Sequence, residues 1–430
     1  MRYLSTIPNL NLNNTTKVNM LHCVVTNMFT RVQSRTKFKR DYVIASVLLV
    51  NTFSWFFIGQ KIVTEVANVF DKNLFLSLAF PVSIIVSAFI GAIFLANVRK
   101  TRVFYIWLLS GTIISLFLGF SSVSLFVALL AIVLLGVSLG LGIPSCLTYF
   151  ADCVPIEKRG KVGGASLFIT IFSVPLVVIV MSMLDFTTSV IIFAAWRAWS
   201  LPILFLLPKK YHRQTVNNKP FSLVSVFQNR QFVLYFVAWF MFSLVDGFEG
   251  LILDPHIGEL RFFMGIIEPI AAGISALVGG ILSDWIGRKR VLIFGFVSLG
   301  VAYAVIGLVS HWISWIFYFI VDGMALGLLW VLFVIVIWGD LSKLGREKYY
   351  AIGQMPFFLT MIASLLFAPY VALIPETSAF SVAAFFLFIA VIPLLSVRET
   401  LPEKKIQQRQ LEIYTEEALK LRQKVEQKSK

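Results

Sequence analysis

A chain of 430 residues that is 58% hydrophobic and only 14% charged cannot cover itself with a water-facing surface, which excludes a soluble globular protein. A net charge of +15 raises nucleic acid as a partner, but the positions of the basic residues, taken below, give that charge another meaning. The three cysteines, Cys23, Cys146 and Cys153, form no CxxC pair and no disulfide framework.

Residues 1–41 are polar and basic and lack the continuous apolar core of a signal peptide, which predicts a mobile tail, with Met20 and Met28 as alternative starts. Twelve apolar blocks follow, at 42–60, 74–97, 103–120, 123–149, 162–183, 187–207, 231–252, 262–283, 291–309, 312–338, 351–372 and 378–397. Each is close to the roughly 20 residues that cross a bilayer as a helix. The fold class is therefore an all-α polytopic membrane protein. Every second gap is basic: these gaps hold seventeen Lys and Arg, against Lys61, Lys72 and Arg261 in all the others. The positive-inside rule puts the basic gaps and both termini in the cytoplasm of a cell-membrane protein. The surplus charge is a topology signal, and no nucleic-acid partner is expected.

Block 1 carries Asn51 and Trp55 near its middle, and block 4 carries Gly136-x-x-x-Gly140, read as a close-packing site inside the bundle. The gap after block 4, "ADCVPIEKRGKVGG", brings Asp152 and Arg159. Block 6 contains Arg197, and the polar stretch 208–230 reads as a linker. In block 7, Tyr235, Trp239, Ser243 and Asp246 recur at four, four and three and share one helix face, while Glu249 reads as interfacial. Glu268 precedes Pro269 in block 8. Asp322 lies about 15 Å into block 10 at 1.5 Å per residue, just before Gly323-x-x-x-Gly327. Ionisable groups inside the bilayer are costly unless paired or hydrated, so Arg197, Asp246, Glu268 and Asp322 are candidates for handling a solute or protons. The next gap, "GDLSKLGREKYYAIG", holds Asp340 and Arg346. The charged tail 398–430 carries Leu411, Tyr414, Ala418, Leu421 and Val425 at alternating three and four, the stripe of a short amphipathic helix.

A shift of 188 residues brings the halves into register: Pro81 falls on Pro269, Ser87-Ala88 on Ser275-Ala276, Gly91 on Gly279, and Asp152 on Asp340. Trp239 falls on Asn51, and Ser243 on Trp55. Two six-helix bundles, 42–207 and 231–397, follow, related by an axis along the membrane normal.

The segment between blocks 8 and 9, "GGILSDWIGRKR", places Gly280, Asp284, Gly287, Arg288, Lys289 and Arg290 at a membrane edge. This Gly-x-x-x-Asp-x-x-Gly-Arg-Lys-Arg pattern resembles the signature loop of the major facilitator superfamily, and the gap after block 4 looks like that family's acidic-Pro-Arg-Gly loop. In the first half the matching loop has decayed, with Ala96 in place of the acid and Arg99 in place of the glycine. The resemblance spans roughly residues 40–400. It implies a rocker-switch transporter whose blocks 1, 4, 7 and 10 line a cavity, which would place Asn51, Trp55, Trp239, Ser243 and Asp322 near the solute. It also implies that Asp284 and its basic neighbours latch the cytoplasmic face shut.

No P-loop, HExxH or GxSxG motif is present, and "RGKVGG" puts Val162 after its Gly-Lys pair. No enzymatic activity, cofactor or metal is expected. The expected function is secondary active transport of a small solute by a monomer, with proton coupling through Asp322 or Glu268 as a further layer. The alternative is a non-transporting receptor or scaffold on the same fold, signalling through its C-terminal tail.

Overall fold

In a computed structural model, the described residues are 14–402, apart from 96, 97, 99, 207–221, 254–256, 259, 310, 343 and 372, together with 411 and 415. Among the described residues, twelve helices are long and apolar enough to cross a membrane. In the first half these are α1 (Arg40–Val69), α2 (Leu74–Phe94), α3 (Thr101–Phe120), α4 (Leu125–Cys153), α5 (Ile156–Ser182) and α6 (Phe186–Ile203). The second half has α7 (Arg230–Leu253), α8 (Leu260–Ile286), α9 (Arg288–Leu308), α10 (Trp312–Leu341), α11 (Arg346–Val371) and α12 (Thr377–Ser396). The chain is a multi-pass membrane protein.

Each expected block is one of these helices, but α5 and α11 start five or six residues earlier than hydropathy places them. Their first turns are polar, and a helix continues through polar residues wherever its backbone hydrogen bonds are satisfied. The α1 helix runs back to Asn14, so the segment expected to be a tail is helical from there on. Residues 1–13, most of the linker, the Ala96 and Arg99 positions, and all of the tail stripe except Leu411 lie outside the described residues. α6 begins at a capped turn: the Asp185 carboxylate accepts from the Thr188 N–H (2.9 Å) and hydroxyl (2.7 Å). These bonds hold its carboxyl below the usual carboxylate range.

The internal repeat sets the packing. A Cβ on Gly140 would collide with the Ile84 carbonyl oxygen of α2, and one on Gly327 with the Ala272 carbonyl oxygen of α8. Gly136 and Gly323 likewise press onto the Phe80 and Glu268 carbonyls. Phe80 and Glu268, like Ile84 and Ala272, are 188 positions apart, so α4 lies on α2 as α10 lies on α8. The expected close packing within the bundle is thus present, with backbone meeting backbone where only glycine fits.

The two halves meet along α5 and α8. A Cβ on Gly160 would strike the Gly280 carbonyl, and one on Gly164 the Ala276 carbonyl. The equivalent seam is the α2–α11 contact, where Ala88, Ala92 and Ala351 form a small buried cluster. Gly164→Val should therefore wedge the halves apart. An overpacking cost of about 1–3 kcal/mol is expected, read as a lowered melting temperature of the purified protein. The halves also touch in the middle of α10, where Val331–Val336 is a π-helical segment, buried throughout, whose Ile335 sits against Gly163.

Candidate functional site

The signature segment at the end of α8 builds a buried polar junction on the face that carries the basic loops. Gly287, at φ +103°, makes the turn between α8 and α9 in a conformation that disfavours any side chain. That turn carries Arg288 back beside Asp284, with 2.9 Å between Nη2 and Oδ1. Asp284, 3% exposed, accepts hydrogen bonds from the backbone N–H groups of Gly160 (3.0 Å) and Lys161 (2.7 Å) in the first turns of α5. A carboxylate of one half thus occupies the positive end of a helix of the other.

Asp340, at the end of α10, is the centre of the same junction. Its carboxylate takes Arg159 Nη1 at 2.6 Å and Arg288 Nε at 3.1 Å, and its side chain is fully buried. Arg288 also donates to the carbonyls of Ser283 (3.0 Å) and Ile156 (2.5 Å), and Arg159 to those of Val154 (3.1 Å) and Ala151. Asp152 of α4 pairs with Arg346 of α11, with both side chains partly exposed. Arg290 is exposed and joins none of these contacts.

The sequence reading missed Glu399, just beyond α12. Its carboxylate accepts from the N–H groups of Arg288 (2.9 Å) and Lys289 (3.0 Å), capping α9. Lys289 Nζ donates to the Leu395 and Val397 carbonyls, and Thr400 reaches Asp340 at 3.3 Å. The segment after the last span is therefore fastened into the junction.

Asn51, Trp55 and Arg197 come together, away from the acids, inside the first half. Arg197 is fully buried, with its Cζ 4.0 Å from the Trp55 ring and 4.2 Å from the Trp107 ring. Its Nη1 donates to Asn51 Oδ1 (2.7 Å), and Asn51 Nδ2 donates to the Trp196 carbonyl (2.8 Å). For Asn51 this is a helix–helix hydrogen bond between α1 and α6. Trp239 and Ser243 are also buried, Trp239 stacking on Phe333 of α10 at 5.1 Å. The shared face of α7 thus points inward, toward α10.

The second half collects the acids. Asp246 and Glu249 of α7, Glu268 of α8 and Asp322 of α10 lie within electrostatic reach of one another. No ion pair to any of the four exists among the described residues. Glu249, read as interfacial, is only 8% exposed and accepts a hydrogen bond from Tyr318. Burial by α10 was invisible in its position near the end of α7. Tyr303 packs edge-on against Tyr318 (5.2 Å). Among the described residues no three His, Cys, Asp or Glu side chains are arranged to hold a metal ion.

Glu268 also reaches a cavity of about 210 Å³ between the halves, lined by Phe57 of α1, Thr170, Val174 and Pro175 of α5, and Trp330 of α10. Trp330 stacks on Phe57 at 5.5 Å. Neither aromatic stood out among the 41 Phe and 10 Trp of the sequence.

Residues 258–426 match the family model of the Major Facilitator Superfamily. Among solved structures, the fold is similar to the proton:xylose symporter XylE bound to 6-bromo-6-deoxy-D-glucose, with a TM-score of 0.67 and 15% identity over 85% of this chain and 97% of that one. It is similar to the human organic anion transporter MFSD10, at TM-score 0.63 and 13% identity over 83% of this chain and 99% of that one. It is also similar to FucP, a Major Facilitator Superfamily transporter in the outward conformation, at TM-score 0.64 and 12% identity over 82% of this chain and 98% of that one. The comparison with curated proteins found no match.

Proposed function

We propose that this chain is a member of the major facilitator superfamily and a secondary active transporter that moves a small solute by rocker-switch alternating access, a reading supported by its fold and by the match over residues 258–426. The observation that carries the reading is the Asp284 carboxylate seated on the first turns of α5, because it ties the halves together on the face that carries the basic loops. The basic loops mark that face as cytoplasmic, with both termini there, in a cell membrane. Breaking such ties while forming others on the far side is what alternating access needs. The six-plus-six bundle encloses its own cavity, so a monomer suffices.

Asp284→Asn keeps the shape but gives up the charge–dipole attraction and the pairing with Arg288. Transport is expected to fall several-fold more than ligand affinity, because the latch contacts no solute. Binding is read from a thermal-shift screen against sugars, amino acids, organic acids, nucleosides and drugs, since a ligand of the folded state raises its apparent stability. An unchanged transport rate would remove Asp284 from the cycle.

Proton coupling belongs to the same reading. A carboxylate inside a bilayer is costly unless it is paired or hydrated, and none of these four has a cation among the described residues. Glu268, at the cavity wall, and Asp322, behind it, are the proposed proton carriers. Uptake by proteoliposomes should depend on pH in the wild type and lose that dependence when both are replaced by amides. A dependence that survives the double substitution assigns the proton elsewhere.

A further inference from the structure

The wall of the cavity between the halves has a one-sided chemistry. Its charge is Glu268, backed by Asp322, Glu249 and Asp246, and no Lys, Arg or His lines it. Two aromatic rings also line it, Phe57 and Trp330, stacked on each other at 5.5 Å, with Phe357 edge-on to Trp330 at 5.2 Å. The rest is apolar except Thr170, whose hydroxyl is engaged with the Ser166 carbonyl at 3.0 Å. A polyhydroxylated solute needs a dense set of donors and acceptors, which this wall lacks, and an anion would meet only repulsion.

We infer that the solute is an organic cation with an apolar body, its charge held by Glu268 and its body stacked on Trp330 and Phe57. This rests on the transport reading above and gives it a substrate class. A cation over an aromatic face is attracted more strongly once both are desolvated, and an ion pair in the same pocket adds to it. The groups that face the charge from the surrounding helices are Asp246 and Glu249 on α7, Glu268 on α8, Tyr303 on α9, and Tyr318 and Asp322 on α10. A cation and a proton then compete for the Glu268 carboxylate, and exchange of one for the other follows.

The test is equilibrium dialysis of radiolabelled benzyltrimethylammonium, whose charge does not depend on pH, against the purified full chain. The wild type should bind it saturably. Glu268→Gln should weaken binding by about tenfold or more and Trp330→Leu by about fivefold or more, whereas Trp330→Phe, which keeps an aromatic face, stays within about twofold. The Trp330 pair keeps the test sound if the Glu268 variant folds poorly. Absence of saturable wild-type binding, or binding undiminished in Glu268→Gln or in Trp330→Leu, overturns the inference. Counterflow in proteoliposomes separates the two claims. Cation binding without cation counterflow leaves the site standing and sinks transport, while counterflow of xylose or phenylacetate without cation binding leaves transport standing and sinks the cation.

Discussion

Asp340→Asn is expected to open the basic-loop face of the protein and to hold it open. Asp340 lies, fully buried, between Arg159 of the first half and Arg288 of the second. Removing its charge leaves the Arg159 guanidinium without its anion, while Arg288 keeps Asp284. Breaking a buried pair by removing one partner costs about 3–5 kcal/mol, because the orphaned charge stays out of water. That cost falls only on the closed arrangement, since separating the halves rehydrates Arg159. A shift of this size approaches the roughly 5.5 kcal/mol that carries a two-state equilibrium from 1:99 to 99:1. Ile335 reports the change, because it is fully buried against Gly163 across the seam. An Ile335→Cys reporter should react with a water-soluble maleimide at least about tenfold faster once Asp340→Asn is added. Asp152→Asn should move the rate far less, since the Asp152–Arg346 pair is partly exposed and such pairs contribute about 0–1 kcal/mol. Equal rates for the Asp340 variant and its parent would show that the arginines do not hold the face closed.

The parts of this junction that the sequence reveals, and those it hides, divide by physical cause. The twelve spans are legible because hydropathy along a single dimension decides whether a segment crosses a bilayer. The glycines of α4 and α10 are legible as well, at a one-residue slip from the 188-residue offset that carries Phe80 onto Glu268 and Ile84 onto Ala272. Asp284, Gly287 and Arg288 announce themselves by spacing, but their partners do not. Nothing along the chain says that Asp284 reaches Gly160 and Lys161, or that Arg159 reaches Asp340. Glu399 was hidden for a different reason: in "RETLPEKK" it looks like one more charge on a solvated tail, and only the turn at Gly287 brings the N-terminus of α9 to it. For Arg197 and Asn51 the sequence gives depth in the membrane but not the direction each side chain takes around its helix. Depth made them cavity candidates, whereas direction puts them between α1, α3 and α6.

That direction has a consequence for Arg197, where truncation and removal of charge should part company. Arg197→Ala is expected to destabilise the first half by about 3–5 kcal/mol, the range for emptying a large buried site. It would leave a void between Trp55 and Trp107 and orphan the Asn51 carbonyl that joins α1 to α6. Arg197→Met should cost less, within about 1.5 kcal/mol, because two terms offset each other. Methionine fills most of the same volume and gives up the contacts of the cation with two rings. It also removes a buried charge whose Nε and Nη2 atoms have no hydrogen-bond partner. Melting of the purified variants reads the first comparison, and ligand affinity of the methionine variant reads the second. With Arg197 wholly buried and both aromatic faces already stacked on it, affinity should be unchanged in Arg197→Met. A methionine variant that melts like the wild type yet binds ligand tenfold more weakly would return Arg197 to the solute pathway, and the two tryptophans beside it would then be gate rather than frame.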